Sequence, residues 1–262
     1  MRVTEIQSRI QNAKDLDFGT IFNQSIELFK KVWVQGLVTL LLNMVLAIPV
    51  LMIVYIPLLF MGLADAFTSS YNPYGQNAQP DISPIMLFVM LVAYVFMIVA
   101  MSTISFGLKA AFYRICKLKD LEEMGNEDYF YFFKKPYLVK TIKLALAFTG
   151  ISILAILLCV IPIIYAIVPL SLMIVTYAFN PDMSKSDIIK VSFDLGNKKW
   201  LIAFALMFVS GFLASLVGFL MCFIGVYITA SFSYLPAYFI YKDVIGFDEE
   251  NEIKQIEENT SL

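Results

Sequence analysis

The chain has 262 residues, 60% hydrophobic and only 15% charged, with a formal net charge of −2 and no histidine. A soluble domain carries roughly 45–50% apolar and about 25% charged residues, and a globule of this length cannot hide so much apolar surface, so a water-soluble fold is excluded and lipid is the expected solvent. The missing histidine removes the commonest general base and the commonest zinc ligand together.

The N-terminal stretch is not expected to be a cleaved signal, because the first long apolar run begins only after Trp33, behind a mainly polar segment. Within that segment Phe18, Ile21, Phe22, Ile26 and Phe29 share one face at i, i+3, i+4 spacing, which predicts an amphipathic helix. Asp17 stands where an N-cap belongs. The runs Trp33–Met61 and Pro84–Leu108 each exceed the ~20 residues needed to cross a bilayer core of ~30 Å. Residues 62–83, rich in Gly, Pro, Asn and Ser, read as a flexible exterior loop. The segment 109–124 reads as a continuation of the second span.

Two later runs, Leu144–Phe179 and Trp200–Tyr241, are too long for single crossings. The first is interrupted at Pro162 and the second at GFLMCFIG, Gly218 to Gly225. The expectation is therefore an all-α integral membrane protein with six spans, near 34–61, 84–108, 144–161, 163–179, 201–219 and 224–241. Together with the N-terminal segment these form one domain over 1–242. An acidic, flexible tail follows over 243–262. Charge placement supports the splits. Of the 19 basic residues, five precede the first span, eight lie in 109–143, four in 180–199 and two, Lys242 and Lys254, after the last span. Six crossings place all of them on one side, and lysine-rich loops face the cytoplasm.

SIELFKKVW at 25–33 is echoed by SFDLGNKKW at 192–200, and FFKKPY at 132–137 is a weaker third copy. Ile188 and Ile189 continue the pattern before the fifth span, with Ser184 and Asp187 spaced as a capping box. The chain thus reads as three units, each an in-plane amphipathic helix followed by two spans. Lys30, Lys31 and Trp33, then Lys134, Lys135 and Tyr137, then Lys198, Lys199 and Trp200 are the predicted membrane-interface anchors, the aromatic at headgroup depth and the lysines snorkelling toward phosphates. A dedicated headgroup pocket built from these lysines is the sharper alternative to plain anchoring.

The run VIPIIYAIVPLSLMIVTYAFNPDMSKSDIIKVSFDLGNKKWLIAF, followed by a Gly-containing turn and a last span ending YFIYKDV, resembles a bacterial membrane-domain family. That family occurs fused to glycerophosphodiester phosphodiesterases and as stand-alone proteins. The likeness covers roughly the last 110 residues, with DFGTIFNQSIELFKKVW as an N-terminal echo. It implies the fold and a bacterial inner membrane. It implies no activity, because the catalytic domain is not part of this sequence.

No HExxH, GxSxG, CxxC or Walker loop occurs. Cys116, Cys159 and Cys222 are isolated, so no disulfide framework is expected. Asp65 and Asp81, the only exterior acids, sit at opposite ends of a loop. No ionisable residue is expected mid-span. Among the polar residues inside spans, including Ser105 and Ser231, Asn43 is the most suggestive intramembrane site, since Pro49 and Pro57 follow it and kinked helices line transport paths. The plainer reading is a hydrogen bond from Asn43 to a neighbouring helix. Gly211, Ser215 and Gly218 read as a stripe for close helix packing.

The expected role is non-enzymatic: a scaffold or accessory subunit, or a lipid-responsive protein. A small-solute or lipid transporter is the alternative. No cofactor and no metal is expected. Membrane lipids are the expected partners, with other membrane proteins possible through the tail and no nucleic acid. With both termini cytoplasmic, a cysteine replacing Lys190 should react with an impermeant maleimide only after the membrane is opened. Labelling in intact cells would contradict the six-crossing map.

Overall fold

A computed structural model describes residues 2–71, 84–158, 160–221 and 224–247. Most of the predicted exterior loop (72–83), the tail from 248 onward, Cys159 and Cys222 lie outside the described residues, and so does Asp81. Regular structure among the described residues is entirely helical: α1 (Val3–Gln11), α2 (Phe18–Tyr71), α3 (Pro84–Asp120), α4 (Lys135–Leu157), α5 (Val160–Phe179), α6 (Lys185–Lys198), α7 (Trp200–Leu220), α8 (Ile224–Thr229) and α9 (Leu235–Val244). Two 3-10 segments occur, Tyr131–Phe133 and Ala230–Tyr234.

Among the described residues five helices, α2 to α5 and α7, are long and apolar enough to cross a membrane, the make-up of a multi-pass membrane protein. The sixth predicted span differs. It is α8, the 3-10 segment and α9 in succession, so the helical ladder changes pitch in its middle.

Helix α5 is the centre of the bundle. Of its membrane-length window 61% is buried, against 6% for α3 and 22–28% for α2, α4 and α7. The outer helices keep bare apolar flanks such as Val45, Ile48, Phe88, Val95, Leu154 and Phe212. Lipid covers such surface at no hydrophobic cost. The packed core lies toward the end where α2 begins and α3 finishes, around Phe112, Phe132, Tyr177, Tyr238 and Tyr241.

Local chemistry explains the element ends. Asp17 Oδ1 accepts the Thr20 N–H and the Thr20 hydroxyl, each at 2.7 Å, and caps α2 as the sequence predicts. The Thr20 hydroxyl, then the Thr20 N–H, hold the Asp17 carboxyl below its ordinary pKa. Ser184 accepts the Asp187 N–H at 3.2 Å and donates to the Asp187 carboxylate at 2.6 Å, starting α6. The break before α5 falls at Leu158, ahead of the predicted Pro162. A proline ring clashes with the carbonyl four residues earlier, so the old helix ends there and Pro162 sits in the first turn of the next. At the other break, a Cβ on Gly218 would lie 2.6 Å from Val226 Cα, and one on Gly225 would lie 2.4 Å from Met221 Cβ. Only glycines let α7 and α8 fold back this tightly. Thr229 Oγ1 donates across the pair to Ala214 O at 2.7 Å.

The three units do not recur as equivalent structures. No Gly or Pro interrupts residues 20–35, so the first amphipathic stretch runs straight into its span as one helix, α2, rather than lying apart from it. The FFKKPY copy is a 3-10 turn leading directly into α4. Only the last copy has a separate helix, α6, which buries Ile188, Val191, Ser192, Leu195 and Gly196. Its turn into α7 is made at Lys199. The two serines of the repeat do match. Both are fully buried, and each donates to the carbonyl four residues back, Ser25 to Ile21 at 2.8 Å and Ser192 to Ile188 at 2.6 Å. Helix α2 also continues to Tyr71, past the loop start expected at 62.

Pro169 lies inside α5 and has no N–H to give the carbonyl of Tyr165. Trp200 supplies the missing donor: its indole N–H reaches Tyr165 O at 3.1 Å. Trp200→Phe should therefore cost about 1–3 kcal/mol of stability, the price of an orphaned carbonyl, read as a fall in Tm. Pro169→Ala restores a main-chain donor, so Trp200→Phe should cost much less in that background. Additive losses would contradict the pairing.

Candidate functional site

Most charged groups near the loop-bearing end are spent on one another. Lys31 pairs with Glu122 at 2.9 Å, Lys119 with Glu127 at 2.7 Å, Lys134 with Asp128 at 2.9 Å and Lys242 with Asp120 at 2.5 Å. Asp120 also accepts the Tyr238 hydroxyl at 2.8 Å. Burial works to raise the Glu127 pKa, but hydrogen bonds from Lys119 and Gln35 outweigh it and hold the carboxyl below its usual value.

The predicted anchors fall into distinct roles. Lys30 pairs with Glu27 at 2.6 Å on the exposed surface, and Trp33 is 41% exposed. Lys134 also lies over the Tyr131 ring, 5.6 Å from its centroid. Tyr137 stacks on Tyr131 at 4.9 Å and shares a 3.0 Å hydroxyl contact with it, while Lys135 opens α4 on the surface. Lys198 is exposed. Lys199 turns inward instead. It is 7% exposed, and its ammonium donates to Lys14 O at 2.7 Å, with Ala13 O and Asp15 Oδ1 each at 3.4 Å. It fastens the α1–α2 linker, because a buried ammonium needs several acceptors and three are present. Helix α1, which the sequence reading missed, is held beside it by Gln7 donating to Asp194 at 3.0 Å.

Asn43 leads to a different place. Gly36, Thr39, Leu40, Asn43 and Met44 form one face of α2, at i, i+3, i+4, i+7 and i+8. This face lines a cavity of about 240 Å³ together with Ser105, Lys109 and Phe112 of α3 and Ser231 and Tyr234 of the 3-10 segment. Its depth follows from the helix: Asn43 lies ten residues past Trp33, about 15 Å at ~1.5 Å per residue. The walls approach closely because Gly36 has no side chain. A Cβ there would lie 2.2 Å from Ser231 Oγ and 2.3 Å from Ser231 Cβ.

The cavity wall is mostly apolar, with several polar side chains set into it whose donors are underused. Thr39 spends its hydroxyl on Gln35 O at 2.7 Å. Ser231 is 3% exposed, and its Oγ has no hydrogen-bond partner. Lys109 is paired with no carboxylate among the described residues, and its ammonium sits 4.8 Å from the centroid of the Tyr234 ring. A cation–π contact contributes about 0.5–2 kcal/mol. Lys109 is half-buried, and the ring contact leaves its N–H groups able to donate to a ligand. At the rim Met44 is 48% exposed, beside the bare apolar residues Leu41 and Val45, so the cavity reaches the outer apolar surface of the bundle.

Asn43, Ser105 and Ser231 were each visible in the sequence as polar residues within spans. Lys109 opens the segment read as a continuation of the second span, and it lies accordingly inside α3, eleven residues before its end at Asp120. The i, i+4 spacing of Ser105 and Lys109, matched to the Gly36–Asn43 face, was the available signal.

Gly36→Ala should destabilise the protein by about 1–3 kcal/mol in a thermal unfolding experiment, by forcing α2 off the 3-10 segment. Ser231→Gly should relieve it and Ser231→Ala should not, because the clash includes Ser231 Cβ. Equal rescue by both would contradict the close approach. Comparison of the chain with protein-family models, with curated proteins and with solved structures finds no match.

Proposed function

We propose that the chain is a non-enzymatic multi-pass protein of the bacterial inner membrane, both termini cytoplasmic, that takes a ligand from the plane of the membrane into the cavity between α2, α3 and the 3-10 segment. It would act as a lipid-responsive protein or an accessory subunit. The observation that carries this reading is a cavity holding Asn43, Ser105, Lys109 and Ser231 whose rim, at Met44, opens among apolar residues facing outward. Polar groups in such surroundings need partners, and a ligand entering sideways supplies them. The likeness of the last 110 residues to the membrane domain of glycerophosphodiester phosphodiesterases is in keeping with this reading. So are the exposed Trp33 and the paired lysines, as interface anchors.

Protein extracted in detergent should carry bound lipid detectable by mass spectrometry. Ser105→Phe, which fills the cavity, should remove it, while Val45→Phe, on the outer apolar surface, should not. Equal lipid retention by both variants would overturn the reading. A transporter is the second reading, favoured by one feature: the sixth segment breaks its α-helical ladder beside the cavity, as transporter helices do at binding sites. It predicts liposome flux that is lost on Asn43→Ala. Liposomes inert across a broad solute panel would count against it.

A further inference from the structure

We propose that the cavity is an anion site that receives a phosphate group, with Lys109 as its counter-ion and Ser231 as its deepest donor. The proposal rests on the reading that this cavity takes a ligand, and it specifies the ligand's chemistry.

The polar side chains facing the cavity are Lys109, Ser231, Asn43, Ser105 and Thr39, and no carboxylate is among the lining residues. The site therefore has one positive charge and no negative one. The ammonium adds three N–H that can only donate, while the Asn43 amide and the Ser105 and Ser231 hydroxyls can donate or accept. They come from three separate elements, α2, α3 and the 3-10 segment, and so converge from three directions. A ligand matching that set carries negative charge and several acceptor oxygens without needing acceptors itself. A tetrahedral phosphate meets the requirement better than a planar carboxylate, which offers two oxygens. Ser231 supplies the independent mark of a site. Its hydroxyl is buried and unpartnered like those of Thr176 and Ser210, but unlike them it lines the cavity.

Size limits the ligand further. About 240 Å³ equals on the order of eight waters at ~30 Å³ each. That volume accommodates a phosphate or a small phosphorylated headgroup and not acyl chains, which would leave past Met44 along the outer surface of α2. The same chemistry fits an anionic lipid headgroup and free phosphate.

The full-length protein is placed in nanodiscs of a phosphate-free galactosyl diacylglycerol with or without phosphatidylglycerol, and bound lipid is counted by native mass spectrometry. In a second arm, inorganic phosphate is titrated into the phosphate-free discs and Tm is followed. Wild type should prefer phosphatidylglycerol by about tenfold, which assigns a lipid headgroup, or gain stability with phosphate, which assigns the soluble anion. K109Q should lose about tenfold of the effect and K109R should keep most of it. S231A removes one donor from a group that has no protein partner, so it should fold normally and weaken binding by about threefold or more. That variant keeps the test decisive should K109Q fail to fold. No discrimination in either arm, or an effect unchanged in K109Q and S231A, would overturn the anion site. Were Ser105→Phe to expel lipid while K109Q and S231A left headgroup preference intact, the ligand cavity would stand and the anion site would fall.

Discussion

Where lipid surrounds a helix, a carbonyl that proline removes from the ladder cannot turn to water for a partner. This constraint orders much of the structure. At Pro162 it is met by ending one helix and starting another, so the lost bond falls in a turn. At Pro169 the helix continues and the freed Tyr165 carbonyl takes the indole N–H of Trp200 from α7. Around Pro236 the chain tightens to 3-10 geometry, and the Leu235 N–H reaches Phe232 O in place of the donor that proline lacks. Each solution also fixes how two helices meet. Pro169 faces Gly196, where an added Cβ would approach Pro169 Cα to 3.0 Å, and Tyr113 of α3 donates to Tyr234 O at 3.1 Å.

The cavity follows from the third solution. A 3-10 segment winds more tightly than an α-helix and moves its side chains off the α-helical register. Ser231 is set directly against Gly36, while Tyr234 leans over Lys109. Gly36 permits contact at one level of α2, and Asn43 and Ser105 face the gap nearby. Lys31, Lys119, Lys134 and Lys242 each meet a carboxylate and Lys199 meets main-chain oxygens, whereas Lys109 lies over a ring beside a cavity lined by no carboxylate.

Much of this architecture was legible in the sequence because membrane insertion leaves strong local marks: run length, Pro162, the Gly218–Gly225 pair, the Asp17 cap and the Ser184–Asp187 box. The repeated serines were legible too, and they share one local hydrogen bond. What escaped were features set by tertiary contact. The repeat suggested equal roles for Lys30–Lys31 and Lys198–Lys199, yet Lys199 serves the linker before α2, 185 residues from its Lys14 acceptor. Helix α1 escaped although Val3, Ile6 and Ile10 recur at i, i+3 and i+7, an amphipathic face that the helix turns to the core. The cavity is a match between a glycine-containing face of α2 and a serine in a broken segment far along the chain, and no periodicity joins the two. Lys109 itself was legible as part of the segment that continues the second span, which α3 does to Asp120; the cavity it lines was not.

The central claim is that α2, α3 and a broken sixth segment enclose a donor-rich cavity for an anionic group. A cryo-EM map of the full-length protein in nanodiscs containing anionic lipid tests it most directly. The account predicts 3-10 geometry over 230–234 and compact density within hydrogen-bonding reach of Lys109 Nζ and Ser231 Oγ. A continuous α-helix through 224–244, with Lys109 paired to a carboxylate and side chains filling the space beside Gly36, would contradict it.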